Sequence, residues 1–279
     1  MKTLRTIWMY WHSGLANAPP LARICIESWQ RRNPGWTVQV LDDASLGEWI
    51  DMQDVRDRNP RITTQVFSDV LRWRLLALYG GVWADASLYC NRPLDDWLPS
   101  SVSRDGLFCF RSREHFLYHS WFLAGDPSNP TVKAMNAELE RFFIAFGGYI
   151  YYWNLRGLWR VFHFIERKAG RHNQEIWRSW FFRRFLRATP YFIVMYLMGA
   201  AIARSPAAER DFKSLTTRFG ETPHALQQMT QGGTSPEPDV VRRLLGGQCP
   251  VLKLTLKRHV QEWTDAGILA LLDRHGRNE

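Results

Sequence analysis

Residues 63–87, TTQVFSDVLRWRLLALYGGVWADAS, predict a helix, a glycine turn and a buried strand in succession. Apolar residues recur through the first part at helical spacing, which indicates an amphipathic helix with one buried face. That face consists of Phe67, Val70, Leu71, Leu75 and Leu78. Gly80 and Gly81 supply the left-handed conformation that ends a helix. The apolar run Val82-Trp83-Ala84 then predicts a short strand, which stops at Asp85.

Charged residues flank this predicted turn. A carboxylate at the end of a buried strand is costly unless it is paired, hydrogen-bonded or bound to a ligand, and Asp85 is placed there. Asp69 and Arg72 are three residues apart, so they share one face of the preceding helix. Carboxylate oxygens suit a cation or sugar hydroxyls, and a guanidinium suits an anion, so the set favours a sugar nucleotide. The alternative is a structural Asp85 that caps the turn with Arg72 as its partner.

The order of elements predicts an α/β fold. A strand from Thr6 to Trp11 is followed by a loop, a helix beginning at Pro20 and a second strand, TVQVL. This order is typical of a parallel sheet, whose ligands lie beyond the carboxyl ends of the strands. GLFCF, SWFLAG and PVLKLTL predict further strands, and we expect a helix from Thr131 to about Phe143 and another at the C-terminus that holds Trp263.

Composition excludes several classes of protein. Hydrophobic residues make up 46% of the chain and charged residues 23%, which is enough to bury a core, so a disordered scaffold is excluded. Four cysteines without a CxxC pair support neither a zinc site nor a disulfide framework. The longest uncharged run, residues 188–203, is shorter than the roughly 20 residues that span a bilayer. We therefore expect a cytoplasmic protein, and the basic segment described next leads us to expect it to be peripheral on the inner face of the cytoplasmic membrane.

The positive charge is concentrated in one segment. The chain has a net charge of +9, and residues 141–187 carry ten basic and two acidic residues together with fifteen aromatic ones. We predict a single domain over residues 1–279 with a basic, aromatic, helical annex at 141–205. This annex could bind an anionic membrane surface through Arg141–Arg187, or be an ordinary helical extension with solvated arginines. Because no RNA- or DNA-binding motif accompanies the charge, we expect no nucleic-acid partner.

The motifs in their order resemble a known family. SDVLRWRLLALYGGVWADAS resembles the SDxxRxxxLxxYGGxYxDxD signature of glycosyltransferase family 32 and of the related bacterial capsular polysaccharide synthesis protein family. IWMYWHSGLANAPPLARICIESWQRRNPGW resembles the first strand, loop and helix of that family, and RPLDDWL, SWFLAGDPSNP, TPYFIVMYL and PVLKLTLK resemble its later blocks. The resemblance covers most of the chain. It implies a GT-A-like, Rossmann-like nucleotide-sugar core with a mixed, mainly parallel sheet.

The resemblance also implies an activity. Members transfer a sugar from a nucleoside-diphosphate sugar to a glycan or lipid-linked acceptor in capsular or surface polysaccharide synthesis, with retention of anomeric configuration. Asp69 and Arg72 match residues that contact the donor sugar. Asp85 matches the first Asp of DxD, which contacts ribose, sugar and metal, and Trp11 matches a Trp beside the nucleotide base. Asp69 and Asp85 are thus the candidate catalytic residues.

The sequence departs from the signature at Ser87, which replaces the second Asp of DxD. Asp85 and Ser87 are candidate ligands for Mn²⁺ or Mg²⁺, although a hydroxyl is a weaker ligand than a carboxylate. Basic side chains then gain importance in stabilising the diphosphate leaving group. Lys253 and Lys257 are candidates beside Arg72, and the ordinary alternative for each lysine is a solvated surface charge.

The departure at Ser87 also keeps a second class of function open. A chain that retains the fold but has lost a metal ligand could be a non-catalytic glycan-binding or assembly protein.

Overall fold

The computed structural model describes residues 5–98, 102, 106–111, 117–151, 157, 159–165, 176–177, 179–186, 189–215, 218–220, 222–231, 237–247, 249–255 and 267–277. The strands within them are β1 (Thr6–Tyr10), β2 (Thr37–Leu41), β3 (Gly81–Ala84), β4 (Leu88–Cys90), β5 (Leu107–Arg111), β6 (Phe122–Gly125), β7 (Arg218–Phe219) and β8 (Val251–Lys253). The helices are α1 (Pro20–Arg32), α2 (Gln53–Arg58), α3 (Thr64–Leu78), α4 (Pro130–Leu139), α5 (Trp159–Ile165), α6 (Ile193–Arg204), α7 (Pro206–Ser214), α8 (Ala225–Gln231), α9 (Pro238–Leu245) and α10 (Ile268–Arg277). Two π-helical segments cover Glu140–Phe146 and Phe181–Leu186.

The central sheet is mixed. Its order is β2-β1-β3-β6-β5-β7, and β1 runs parallel to both β2 and β3, with Trp8 opposite Gln39 and Trp83. β6 runs antiparallel to β3 and to β5, whereas β7 is parallel to β5. A second, two-stranded sheet pairs β4 with β8 in antiparallel fashion. The α/β fold class with a mixed sheet is confirmed.

The first predicted helix and its flanking strands form as expected. α1 begins at Pro20, where the missing N–H costs nothing, and it buries the face that includes Cys25, Ile26 and Trp29. It ends at Arg32, and the side-chain amide of the next residue, Asn33, donates to the carbonyl of Trp29 at 3.0 Å. The short connection that follows lets β2 lie parallel to β1, with its carboxyl end at the same edge of the sheet.

α3 is buried on more than one side, whereas the sequence predicts a single buried face. Its buried residues include Arg72, Trp73 and Arg74 in addition to the apolar residues Phe67, Val70, Leu71 and Leu75 of the predicted face. The prediction that Leu78 is buried is wrong, because this residue is 58% exposed in the last turn of the helix. The helix ends at Leu78, and Gly80 and Gly81 follow it with φ of 70° and 95°, the left-handed conformation that the sequence predicts.

Gly80 is expected to be intolerant of a side chain. A Cβ there would lie 2.8 Å from Cδ of Pro127 and 3.1 Å from the carbonyl oxygen of Gly125, at a φ that L-residues rarely adopt. We expect Gly80→Ala to lower the free energy of unfolding by at least about 2 kcal/mol, measured by denaturant titration. Gly47→Ala is the control, because no described atom lies within 4 Å of a Cβ there. Equal effects of the two substitutions would contradict this explanation.

Later elements confirm some predictions and correct others. α4 ends at Leu139 and continues as a π-helix instead of remaining α-helical to Phe143. The strand predicted over PVLKLTL is limited to Val251–Lys253. The uncharged run contains α6, whose residues from Ile193 to Met198 are buried in the core beside α3.

Two predicted residues, Lys257 and Trp263, lie outside the described residues. All four cysteines are free thiols. Among the described helices, none is long and apolar enough to cross a membrane. The division into one domain with an annex over residues 141–205 stays a prediction.

Candidate active site

The candidate site lies at one edge of the central sheet. β1 and β3 are adjacent and parallel, so Trp11 and Asp85, which follow their carboxyl ends, belong to the same edge. The backbone N–H of Asp85 donates to the carbonyl of Trp121 at 3.0 Å, and its carbonyl accepts from Leu88 N–H at 2.8 Å. These bonds fix the turn between β3 and β4, and with it the position of Asp85.

The guanidinium of Arg72 lies between the two predicted carboxylates. It contacts Oδ1 of Asp69 at 2.9 Å and Oδ1 of Asp85 at 3.2 Å, and the Arg72 side chain is only 4% exposed. It also donates to the carbonyl and hydroxyl of Ser68, at 3.2 Å and 3.0 Å, and to the carbonyl of Ser120. The structure thus brings Asp69, Arg72 and Asp85 together, and the Arg72–Asp85 contact is the one that the structural alternative for Asp85 expects.

The ring of Trp83 completes the surroundings of this ion pair. The guanidinium carbon of Arg72 lies 5.0 Å from the centroid of the Trp83 ring, a cation–π distance. Trp83 also donates its indole N–H to Oδ1 of Asp85 at 3.0 Å. Sequence reasoning assigned Trp83 to a buried strand and Ser68 and Ser120 to no role. The one local signal was Ser68, which stands one helical turn before Arg72.

Lys253 reaches the same carboxylate from the opposite side. Pairing of β4 with β8 places Leu88 opposite Lys253, next to the Asp85–Ser87 turn. The ammonium of Lys253 lies 2.7 Å from Oδ2 of Asp85 and 2.7 Å from Oγ of Ser87, with the side chain 12% exposed. The alternative that Lys253 is a solvated surface charge is wrong. Lys257, the second lysine candidate, falls in the part of the chain that the structure does not describe.

The two carboxylates differ in electrostatic environment. Burial raises the pKa of Asp85, but Lys253 and Arg72 outweigh that effect and hold the pKa below its ordinary value. Burial dominates at Asp69 and raises the pKa of its carboxyl to about 6, with Arg72 opposing the rise and Asp85 adding to it. Neighbouring carboxylates whose pKa values are pushed apart are typical of functional sites.

Asp69 is expected to make stability depend on pH. Between about pH 4 and pH 6 the folded state keeps a proton that the unfolded chain has lost, so the free energy of unfolding falls as pH rises. The slope reaches at most about 1.4 kcal/mol per pH unit. Asp69→Asn should remove this component, which denaturant titrations at several pH values would detect, with exposed Asp239→Asn as the control. Parallel stability curves for wild type and Asp69→Asn would refute the assignment.

The donor set around Asp85 and Ser87 does not fit a divalent cation. Oδ1 of Asp85 forms an ion pair with Arg72 and accepts a hydrogen bond from Trp83, and Oδ2 accepts one from Lys253. Oγ of Ser87 accepts from the same ammonium. Among the described residues, no cluster of three or more His, Cys, Asp or Glu side chains could hold a metal ion. A hard cation needs several oxygen ligands, and here one carboxylate is shared by two organic cations.

Trp11 is held at the end of β1 and is partly buried. Its backbone N–H donates to the carbonyl of Leu41 at 2.9 Å, and its ring lies 5.7 Å from that of His12. The buried indole N–H of Trp11 has no hydrogen-bond partner among the described residues. The role of Trp11 beside a nucleotide base stays a prediction.

Curated relatives and solved structures with glycosyltransferase names resemble this chain. Glycosyltransferase afumC of Aspergillus fumigatus is 36% identical over 104 residues, which cover 33% of this chain and 26% of the relative. O-glycosyltransferase braB of Annulohypoxylon truncatum is 33% identical over 104 residues, covering 33% and 25%. The matches span about a quarter of the length of these relatives. Among solved structures, glycosyltransferase GlyE of Streptococcus pneumoniae is 8% identical with a TM-score of 0.45, covering 99% of this chain and 64% of that chain.

A match to a protein family covers a larger part of the chain than these relatives do. Residues 1–158, more than half of the sequence, match the family described as Capsular polysaccharide synthesis protein. The matched part contains Trp11, Asp69, Arg72, Asp85 and Ser87, whereas Lys253 follows it. The mixed sheet agrees with the α/β core that the sequence predicts. The chain therefore belongs to the capsular polysaccharide synthesis protein family.

Proposed function

We propose that the chain is a hexosyltransferase-type glycosyltransferase that uses a nucleoside-diphosphate sugar. The observation that carries the proposal is the cluster of Asp69, Arg72 and Asp85 at the carboxyl ends of β1 and β3, in which Arg72 is buried and both carboxylates are partly buried. Such an edge is where α/β sheets bind nucleotides. The family membership and the names of the relatives support the same reaction class.

The proposed chemistry breaks one bond and forms another. The bond between the anomeric carbon and the phosphate oxygen breaks, and its electron pair stays on the leaving diphosphate. The acceptor hydroxyl oxygen bonds to the anomeric carbon, on the same face if configuration is retained, and its proton passes to the leaving diphosphate. Arg72 and Lys253 would stabilise the charge that develops on this group, and Asp69 and Asp85 would accept hydrogen bonds from sugar and ribose hydroxyls.

A panel of sugar nucleotides tests this proposal. We expect one of them to raise the melting temperature, because a ligand that binds the folded state stabilises it, and to be hydrolysed slowly without an acceptor. Proton NMR of the transfer product would show whether the anomeric configuration is retained. If none of the panel binds or is hydrolysed, with or without Mn²⁺, the transferase proposal fails.

The second candidate is a non-catalytic glycan-binding or assembly protein, and Ser87 in place of the second acidic residue is the observation that favours it. This candidate predicts saturable glycan binding without turnover of any sugar nucleotide. The panel above separates the two, because only the enzyme would release free nucleoside diphosphate.

We further propose that the annex binds an anionic membrane surface and so brings the enzyme to a lipid-linked acceptor in capsular or surface polysaccharide synthesis. Among the described residues, eight of the ten large apolar side chains that are exposed lie between residues 146 and 192. They are Phe146, Val161, Phe164, Trp180, Phe181, Phe185, Tyr191 and Phe192. Exposed apolar side chains beside a strongly basic segment are typical of surfaces that enter the interface of anionic bilayers.

Vesicle flotation at physiological salt checks the membrane proposal. Trp180 and Phe185 are 69% and 67% exposed, and replacing both by Ser is expected to weaken binding to anionic vesicles by roughly tenfold per side chain. Leu78→Ser is the matched control, since Leu78 is 58% exposed on α3 outside the annex. Failure of the wild-type protein to float with anionic vesicles would remove the proposal.

A further inference from the structure

The Lys253 ammonium occupies the position between the two residues that match the DxD motif. It lies 2.7 Å from both the Asp85 carboxylate and the Ser87 hydroxyl. In a motif with two carboxylates at this spacing, a cation would be shared by the same two side chains. Here the shared cation is a side chain of the protein itself, brought from a strand 166 residues later than Ser87.

The position of Lys253 is built into the fold. Its backbone N–H donates to the carbonyl of Pro223 at 2.7 Å, and the next residue, Leu254, donates to the carbonyl of Ser87 at 2.9 Å. The small β4–β8 sheet fixes the register on both sides of the ammonium. With the side chain 12% exposed, Lys253 is held in the site by main-chain bonds as well as by charge.

The charges in the cluster are already matched. Asp69 and Asp85 carry the negative charge, and Arg72 and Lys253 carry the positive charge. A divalent ion bound to Asp85 and Ser87 would lie beside the ammonium and repel it. With Ser87 in place of an aspartate, the site lacks the second carboxylate that a divalent ion beside the ammonium would need. The Ser87 hydroxyl instead accepts a hydrogen bond from the Lys253 ammonium.

We propose that Lys253 takes the place of the divalent cation and makes donor binding by this centre independent of metal. This inference rests on the proposed function. An ammonium has three N–H donors; two bind Asp85 and Ser87, and the third would bind an oxygen of the donor diphosphate. In the transfer step the ammonium would stabilise the electron pair left on the diphosphate oxygen, without transfer of its own proton.

Calorimetric measurement of the affinity for the sugar nucleotide selected from the panel tests this role of Lys253. We expect the affinity of the wild-type protein to be the same within twofold in EDTA and in Mn²⁺, and Lys253→Met to lower it at least tenfold in EDTA. Lys213→Met, a change at an exposed lysine of α7, should leave it unchanged. A tenfold loss of wild-type affinity in EDTA that Mn²⁺ restores would overturn the proposal.

A metal-binding measurement keeps this test separate from the proposed function. Electron paramagnetic resonance of Mn²⁺ added without nucleotide should show no site in the wild-type protein and a site in the double variant Ser87→Asp with Lys253→Met. Tight Mn²⁺ binding by the wild type would refute the inference even if no donor is found. Absence of binding by every sugar nucleotide, with this Mn²⁺ result as expected, would refute the transferase proposal and the role of Lys253 in donor binding, and would support only its place in the cation position.

Discussion

We expect Asp85→Asn to lower sugar-nucleotide turnover by about 10²–10³-fold, the loss that follows removal of one preorganised electrostatic group. The carboxylate of Asp85 orients Arg72 through Oδ1 and Lys253 through Oδ2. An amide has one oxygen and no charge, so it cannot hold both cations toward the diphosphate. Initial-rate measurements of nucleoside-diphosphate release, with and without acceptor, would give the size of the loss.

The control for this change is Asp239→Asn. Asp239 is 83% exposed on α9 and pairs with Arg242 on the same helix, so its substitution is expected to leave turnover unchanged. Circular dichroism of both variants would show that each is folded. Turnover by Asp85→Asn within threefold of wild type would show that this carboxylate does not act in the reaction.

Replacement of Arg72 by Met is expected to cost about 3–5 kcal/mol of stability, as is typical when one partner of a buried ion pair is removed. Asp69 and Asp85 are 16% and 24% exposed, so water can compensate them only in part. The carbonyl of Ser120 would lose its donor as well. Denaturant titration measures the loss, and donor affinity would fall with it because the guanidinium faces the proposed diphosphate site.

Arg74→Met separates stability from function. Arg74 is also buried in α3, but it pairs with Asp54 at 2.6 Å and Glu140 at 2.8 Å, whose side chains are 45% and 40% exposed. Those carboxylates can become hydrated, so we expect a smaller loss of stability and no change in donor affinity for the protein that remains folded. If the two variants lost donor affinity equally, Arg72 would be a structural residue only.

Local pattern in the sequence predicted the elements around the site well. The spacing of Asp69 and Arg72, the Gly80–Gly81 stop and the apolar strand before Asp85 all arise within one helix, turn and strand, so near neighbours determine them. Leu78 was predicted wrongly because spacing shows which residues share a face but not where the packed neighbours of that face end. Its exposure depends on the tertiary structure.

Contacts between distant segments could not be predicted from local pattern. Lys253 meets Asp85 across 168 residues because β8 pairs with β4, and Arg72 meets the Ser120 carbonyl across 48 residues. A lysine in an amphipathic strand is usually solvated, so nothing near Lys253 in sequence indicated a buried ion pair. The family resemblance indicated which positions contact a donor. Only the pairing of β4 with β8 shows that the Lys253 ammonium lies beside Ser87.

The central claim is that this cluster binds the donor, and calorimetric titration of the selected sugar nucleotide into wild-type, Asp85→Asn and Asp239→Asn proteins tests it directly. We predict saturable binding by wild type and Asp239→Asn with equal affinity, and at least tenfold weaker binding by Asp85→Asn. Equal affinity of all three proteins would contradict the claim and place the donor elsewhere on the chain.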